Sequence, residues 1–288
     1  MLAAVTHRSL AAAVTAVVGL VAVAGCAPED NPAPAPPNVA CTPGSLPTKV
    51  AGQLTVGTDD PAYAPWFVDN KPENGQGFES AVAYAVADKL GYGKDRVTWT
   101  RVKFDNAIAP GPKAFDFDIN QFSITEERKQ AVEFSAPYYL VRQAVVTLKS
   151  SKIAGAKSLA QLRGAKLGAQ VGTTSYQAIT NVIKPTGKPQ VYNSNDDAKK
   201  ALQNGQLDGI VVDLPTAFHI TGSELKDAAI VGQLPQVGAP EAFGLLMDKS
   251  STLTGCVSKA IGELRDAGTL GQLEQQWLAR TAGAAELR

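Results

Sequence analysis

The chain has 288 residues, and its 27 Lys and Arg residues balance its 27 Asp and Glu residues, so its formal net charge is zero. Hydrophobic residues make up 44% of the sequence, which is ordinary for a globular protein. The isolated Lys199-Lys200 pair is not a basic patch, so the electrostatic footprint of a nucleic-acid-binding protein is missing.

The first residues have the layout of a secretory signal peptide, because His7 and Arg8 precede an apolar run over 10–24. This run is shorter and richer in alanine than a membrane span of about 20 apolar residues. Val23-Ala24-Gly25-Cys26 resembles a bacterial lipobox, in which the cysteine is lipidated. We predict that residues 1–25 are removed and that Cys26 anchors the protein to the outer face of the cell membrane. A plain secretory signal with a chance cysteine is the alternative.

Residues 26–47 combine the lipidated cysteine with a tether rich in proline and alanine, which cannot bury a core. About 250 residues follow, enough for one large domain or two modest ones. Once Cys26 is set aside, Cys41 and Cys256 remain, in a compartment that permits disulfides. We predict that these two cysteines are bonded; two unpaired thiols are the alternative.

Strand-like and helix-like segments then alternate, which is typical of an α/β protein with mostly parallel sheets. Apolar residues at spacings of three and four indicate an amphipathic helix that stops at Gly91. In chain order we predict a strand at 53–58, a helix at 78–90, strands at 97–102, 115–119, 144–148 and 166–170, helices at 176–183 and 195–203, strands at 209–212 and 244–247, and helices at 256–264 and 270–278.

The predicted elements group into two small α/β units, around 53–140 and 165–232. Two joining segments, at 144–148 and 236–243, suggest a hinge. Open α/β sheets place ligands at loops that follow the carboxyl ends of strands. In this chain those loops carry Asp59, Asp60, Tyr63, Trp66, residues 120–125, residues 172–175 and Asp213.

Several motifs in sequence order resemble the family 3 bacterial solute-binding proteins, the amino-acid receptors of polar amino-acid ABC importers. The signature is the run from Phe117 to Arg128, followed by Phe134-Ser135-Ala136-Pro137-Tyr138-Tyr139. The similarity covers nearly the whole mature chain and includes the segments 57–66, 77–79, 172–174 and 208–213. This sequence departs from the family at Gln121-Phe122, where small residues are common, and at Glu79, where aspartate is usual.

The resemblance implies the two-lobed type II fold of periplasmic binding proteins, in which each lobe is a mostly parallel sheet flanked by helices. We expect a first lobe at 48–143 plus 242–288, and a second lobe with the hinge segments at 144–241. It further implies a monomer without a cofactor that captures a free polar amino acid by cleft closure and delivers it to a membrane permease. No phosphate-binding Gly-rich Lys-Ser/Thr loop occurs, so the ATPase is expected on another chain.

An amino acid is a zwitterion, and each of its charges needs a partner when it leaves water. Arg128 offers a planar fork that fits a carboxylate, Ser123 can donate its hydroxyl, and the N–H groups of Thr173 and Thr174 lie at a helix start. Asp213 can accept from the ammonium. By resemblance these are the family's carboxylate and ammonium binders. The alternatives are a surface ion pair for Arg128, helix caps for the threonines and a strand-end aspartate for Asp213.

The side chain of the ligand should meet aromatic walls and polar groups. The matching family positions of Tyr63 and Phe104 face the ligand, although buried aromatic residues more often pack in the core. Gln170 stands where some relatives carry lysine, which favours glutamine, glutamate or asparagine over lysine or arginine. The residues expected at the side-chain end of the pocket are Asp60, Tyr63, Trp66, Phe104, Gln121, Phe122 and Gln170.

Two other classes compete with a transport receptor. Some relatives of the fold are dehydratases that act on small carboxylates, and Glu79 or Asp213 could serve as a general acid. The sequence gives an enzyme little support, because it has no Gly-x-Ser-x-Gly elbow and no cluster with metal-ligand spacing. A domain that senses a ligand and reports it to a kinase is the second alternative.

Overall fold

The computed structural model describes residues 40–278 and 283–288. The signal peptide, Cys26 and most of the tether therefore lie outside the described residues. In chain order the strands are β1 (Leu54–Thr58), β2 (Val97–Arg101), β3 (Phe117–Asp118), β4 (Val132–Phe134), β5 (Tyr139–Leu140), β6 (Gln143–Leu148), β7 (Leu167–Gln170), β8 (Gln190–Tyr192), β9 (Gly209–Asp213), β10 (Ala228–Gln233), β11 (Ala242–Phe243) and β12 (Leu246–Asp248).

The described helices are short to medium in length. They are α1 (Phe78–Lys89), α2 (Phe104–Ile108), α3 (Glu126–Lys129), α4 (Leu159–Leu162), α5 (Thr174–Ala178), α6 (Asn195–Gln203), α7 (Leu214–His219), α8 (Thr254–Asp266) and α9 (Thr269–Leu278). α5 and α7 each continue into a wider helical turn, over Ile179–Ile183 and Ile220–Glu224. Within the described part of the chain, no helix is long and apolar enough to cross a membrane.

The first lobe is built on a five-stranded sheet with the order β2-β1-β3-β12-β4. β1 is parallel to β2 and β3, whereas β12 is antiparallel to β3 and β4. Helix α1 packs against α8 and α9, and the side chains of Phe78, Val82 and Val86 on its apolar face are fully buried. The helix stops at the predicted place. Gly91 has a φ of +83°, and a Cβ there would lie 2.5 Å from the backbone nitrogen of Gly44.

The second lobe is built on the sheet β10-β6-β9-β7-β8. β9 is parallel to β7 and antiparallel to β6, so the two sheets together confirm the two-lobed α/β architecture. The sequence pattern does not predict β8 or β10. β8 is a three-residue edge strand with exposed side chains, and β10 lacks a clean alternation of buried and exposed positions.

Two neighbouring segments carry the chain between the lobes. β5 and β11 pair antiparallel as a short ribbon, and the N–H of Val141 donates to the carbonyl of Glu241 at 3.0 Å. At the second lobe the N–H of Leu234 donates to the carbonyl of Gln143 at 2.8 Å. The two crossings are therefore bonded to each other at both ends.

The last residues lie on a different lobe from the one expected. The sequence assigns 242–288 to the first lobe, but Ala285 and Leu287 exchange backbone hydrogen bonds of 2.9 Å with Gln233 of β10. Leu287 is 2% exposed and packs in the core of the second lobe. These residues can pack against β10 because Gly232 has no side chain. A Cβ at that position would lie 2.7 Å from the carbonyl oxygen of Ala285.

A disulfide joins Cys41 to Cys256, with Cα atoms 5.3 Å apart. Cys41 precedes β1, and Cys256 lies in the first turn of α8. The bond therefore ties the start of the described chain to a helix 215 residues further on.

Candidate functional site

A cavity lies where several strands of both sheets end. Asp59 follows β1, Asn120 follows β3 closely, and Asp213 is the last residue of β9. This is the edge at which open α/β sheets bind ligands. The residues that line the cavity are Asp59, Tyr63, Phe104, Asn120, Gln121, Arg128, Gln170, Thr173, Thr174, Ser175, Asn195, Val212 and Asp213.

Arg128 lies at the boundary between the lobes. Its Nη1 donates to the carbonyl of Ser123 at 2.8 Å, and its Nη2 donates to the carbonyl of Gly172, in the second lobe, at 2.9 Å. The guanidinium carbon lies 5.3 Å from the centre of the Phe104 ring. The side chain is 8% exposed, and burial lowers its pKa, although Glu241 and Asp213 oppose the shift. Because arginine has five N–H donors, this residue keeps donors for an anion in the cavity.

Thr173 and Thr174 sit at the start of α5. The Thr173 hydroxyl caps the helix by accepting from the N–H of Tyr176 at 3.2 Å. The Thr174 hydroxyl lies 3.2 Å from that of Ser123, which belongs to the first lobe. The turn before the helix requires Gly172, whose φ is +72°, and a Cβ at that position would lie 2.9 Å from a carboxylate oxygen of Asp105.

Asp213 lies in a strongly acidic part of the cavity. Desolvation and the nearby charge of Glu241 raise its pKa to about 8, whereas a hydrogen bond from Gln143 opposes this shift. The Nε2 of Gln143 lies 2.7 Å from the Asp213 carboxylate. A positive ligand group beside Asp213 would restore its ionised form.

Glu79 supports the floor of the cavity from α1. Its carboxylate is fully buried and accepts hydrogen bonds from the backbone and side-chain amides of Gln121 and from the Tyr138 hydroxyl. Burial raises the pKa of Glu79 to about 7. Gln121 has a φ of +48°, an uncommon conformation for a residue with a side chain, and Glu79 holds it in place.

Four of the expected ligand residues do not line the cavity. Asp60 is exposed and accepts from the Asn70 amide at 3.0 Å. Trp66 is fully buried in the core of the first lobe. Phe122 is buried and stacks on Phe104, with ring centres 4.9 Å apart. Ser123 donates its hydroxyl to Glu241 at 2.5 Å.

The cavity also includes residues that were not among the expected ligand residues. They are Asn195, Val212 and Asp59, the first residue after β1. The sequence places Asp59 in a strand-end loop, where ligand residues concentrate, but did not assign it to the ligand. Gln143 and Glu241 contact the site from the two crossings, and no local motif marks them. In the described parts of the chain, no group of three or more His, Cys, Asp or Glu residues is arranged to hold a metal ion.

Two sheets that present their strand ends to one shared polar cavity define a two-lobed binding protein. The model of the bacterial extracellular solute-binding proteins, family 3, matches residues 54–280, and this chain belongs to that family.

Named relatives extend the comparison. A probable histidine-binding protein from Campylobacter jejuni is 29% identical over 221 residues, covering 75% of this chain and 80% of its own length. An L-arginine-binding protein from Pseudomonas aeruginosa is 27% identical over 250 residues, covering 82% of this chain and 92% of its own length. A solved structure of an ancestral arginine-binding protein bound to glutamine is 32% identical with a TM-score of 0.65, and the match covers 79% of this chain and 98% of that chain.

Proposed function

We propose that this chain is the receptor of an ABC importer and that it captures a free L-amino acid. The observation that carries the proposal is that Arg128 of the first lobe and Asp213 of the second lobe line one cavity. A zwitterion offers a carboxylate to the first and an ammonium to the second, and both lose water on enclosure. The relatives named for histidine and arginine support the same ligand class.

The charges of the cavity favour a ligand side chain that donates hydrogen bonds. Asp213 is matched by the α-ammonium, which leaves Asp59 as a further carboxylate. Asp59 is 9% exposed, and its carboxylate forms an ion pair of 3.4 Å with Lys103, whose side chain is exposed. We therefore place arginine first and glutamine second, which reverses the order that Gln170 favours in the sequence. A glutamate side chain would add negative charge beside Asp59, so it is disfavoured among the side chains expected from the sequence.

Closure supplies the mechanism. The ligand docks on the lobe that holds Arg128 and then recruits Thr174 and Asp213 from the other lobe. Because contacts from both lobes exist in the closed form alone, the ligand has a differential affinity for that form and shifts the equilibrium towards it. The closed receptor then presents a surface to the permease. We further propose that a lipid on Cys26 keeps the receptor, as a monomer, at the membrane.

Calorimetric titration with L-arginine, L-glutamine, L-glutamate and D-arginine tests the proposal. We expect binding of L-arginine and L-glutamine, compaction of the receptor in solution scattering, and no turnover of the ligand. Arg128→Lys should weaken binding by at least tenfold, because a charge-assisted hydrogen bond is worth about 1.5 to 3 kcal/mol. The exposed Arg163→Lys is the matched control. Absence of binding to any amino acid, or chemical conversion of the ligand, would overturn the function.

The lipid anchor needs a separate experiment, because it does not depend on the ligand. Cells that express the full chain are separated into membrane and soluble fractions. The wild type should be in the membrane fraction and carry a lipid mass on Cys26, whereas Cys26→Ser should be released. Equal membrane association of both forms would contradict the anchor and leave the binding proposal intact.

A further inference from the structure

Two polar residues of the crossings contact Ser123 and Asp213 at the ligand site. Gln143 begins β6 at the end of one crossing, and Glu241 ends the other crossing just before β11. The Nε2 of Gln143 lies 3.2 and 3.1 Å from the two carboxylate oxygens of Glu241. We call these two residues the hinge pair.

The hinge pair connects Ser123 of the first lobe to Asp213 of the second lobe. On the side of the first lobe, Glu241 accepts the hydroxyl of Ser123 at 2.5 Å. On the side of the second lobe, Gln143 donates to Asp213 at 2.7 Å. Ser123, Glu241, Gln143 and Asp213 therefore form one continuous chain of hydrogen bonds that passes through the hinge.

The orientation of the Gln143 amide is determined by its surroundings. Its carbonyl oxygen accepts the hydroxyl of Ser175 at 2.6 Å, so its NH₂ group must face Glu241 and Asp213. The side chain is 5% exposed, which leaves water little access to compete. Gln143 and Asp213 are also direct register partners on β6 and β9, so their contact belongs to one lobe and does not depend on closure.

The groups that face Asp213 shift the pKa of its carboxyl in opposite directions. Glu241 and Glu79 are negative neighbours, whereas Arg128 and the hydrogen bond from Gln143 favour the ionised carboxylate. Removing Gln143 and removing the charge of Glu241 should therefore change the proton affinity of Asp213 in opposite directions.

We propose that the hinge pair positions the ammonium acceptor. Gln143 holds the Asp213 carboxylate towards the ligand, and Glu241 couples it through Ser123 to the carboxylate-binding side of the cavity. This inference rests on the proposed function, because it assigns roles in binding the α-ammonium and α-carboxylate groups that all amino acids share. Gln143 and Glu241 are positioning residues in this arrangement, since they act through Asp213 and Ser123.

The test uses calorimetry of L-arginine and L-glutamine between pH 5 and pH 9 on the wild type and two variants. Gln143→Met keeps the length of the side chain and removes its donor. Its affinity for both ligands at pH 7 should fall by about tenfold, the effect of one hydrogen bond to a charged group. The loss of affinity on acidification should begin at a higher pH. In Glu241→Gln that loss should begin at a lower pH.

Opposite pH shifts in the two variants are the decisive result, because simple damage to the fold would not produce them. Gln206→Met, the same substitution at an exposed position, should match the wild type. Unchanged pH profiles in both hinge variants, or shifts in the same direction, would overturn the inference while wild-type binding upholds the function. If the wild type binds neither ligand, the proposed function fails, and the inference fails with it.

Discussion

The indole Nε1 of Trp66 donates a 2.9 Å hydrogen bond to the hydroxyl of Thr216, and this buried bond joins the first lobe to the second. Trp66 is held in place by edge-to-face contacts with Phe78, Tyr139 and Phe243. Thr216 lies on α7, three residues after Asp213. If the cleft opens as proposed above, we expect the donor to separate from the acceptor, so that the bond stabilises the closed form whether or not a ligand is bound.

Thr216→Val keeps the shape of the side chain and removes the acceptor. A buried hydrogen bond contributes about 1 kcal/mol, so affinity should fall by about fivefold, and by the same factor for every amino acid that binds. Titration of two ligands measures this effect, and Thr216→Ser, which keeps a hydroxyl, is the control. A loss that differs between ligands would indicate a direct contact and contradict a role in closure.

Asp118 is a buried carboxyl at the centre of the sheet of the first lobe. It is 0% exposed. Burial, with Glu79 and Asp59 nearby, raises its pKa well above the usual range, whereas Lys113 and a backbone hydrogen bond from Ile119 oppose the shift. Because the folded state then binds the proton more tightly than the unfolded state, Asp118 lowers stability as pH rises above its unfolded pKa.

Asp118→Asn should therefore raise the melting temperature at pH 8 and have a smaller effect at pH 4. Each unit of pKa shift corresponds to about 1.4 kcal/mol. Thermal unfolding at the two pH values measures the difference, with the exposed Asp266→Asn as control. An increase of equal size at both pH values would show that charge is not the cause.

The Cys41–Cys256 disulfide closes a loop of more than 200 residues. In the chain-entropy model a loop of this length contributes about 5 kcal/mol to stability. Cys41→Ser with Cys256→Ser should lower the denaturant midpoint markedly, and reductant should have the same effect on the wild type but none on the double variant. Two free thiols in the unfolded, unreduced protein would contradict the bond.

Gly232 makes room for the residues that cover the edge of β10. Its Cβ-equivalent position lies 2.7 Å from Ala285 and Leu287 atoms, so Gly232→Ala should displace these residues and cost about 1 to 3 kcal/mol. Hydrogen exchange at Leu287, whose N–H bonds to Gln233, would report the displacement. A Cβ added at Gly155 would have no other atom within 4 Å, so Gly155→Ala is the control. Unchanged exchange at Leu287 would contradict the close approach.

The sequence pattern predicted two α/β units, because alternating elements and strand-end loops are local patterns, and the family resemblance implied the two-lobed type II fold. The direction of a side chain within a loop is not a local property. Trp66 and Phe122 lie in loops beside the ligand site, yet both turn into the core, where a large apolar surface gains most from burial. The position of Glu241 is not a local property either. It reaches the site because the two crossings are bonded to each other, which no sequence motif indicates.

The residues that cover β10 also affect the order in which the protein can be completed. Ala285 and Leu287 belong to the second lobe but follow all of the first lobe in the sequence. We therefore expect the edge of β10 beside Gly232 to stay uncovered until residues that are synthesised after the whole of the first lobe have been made.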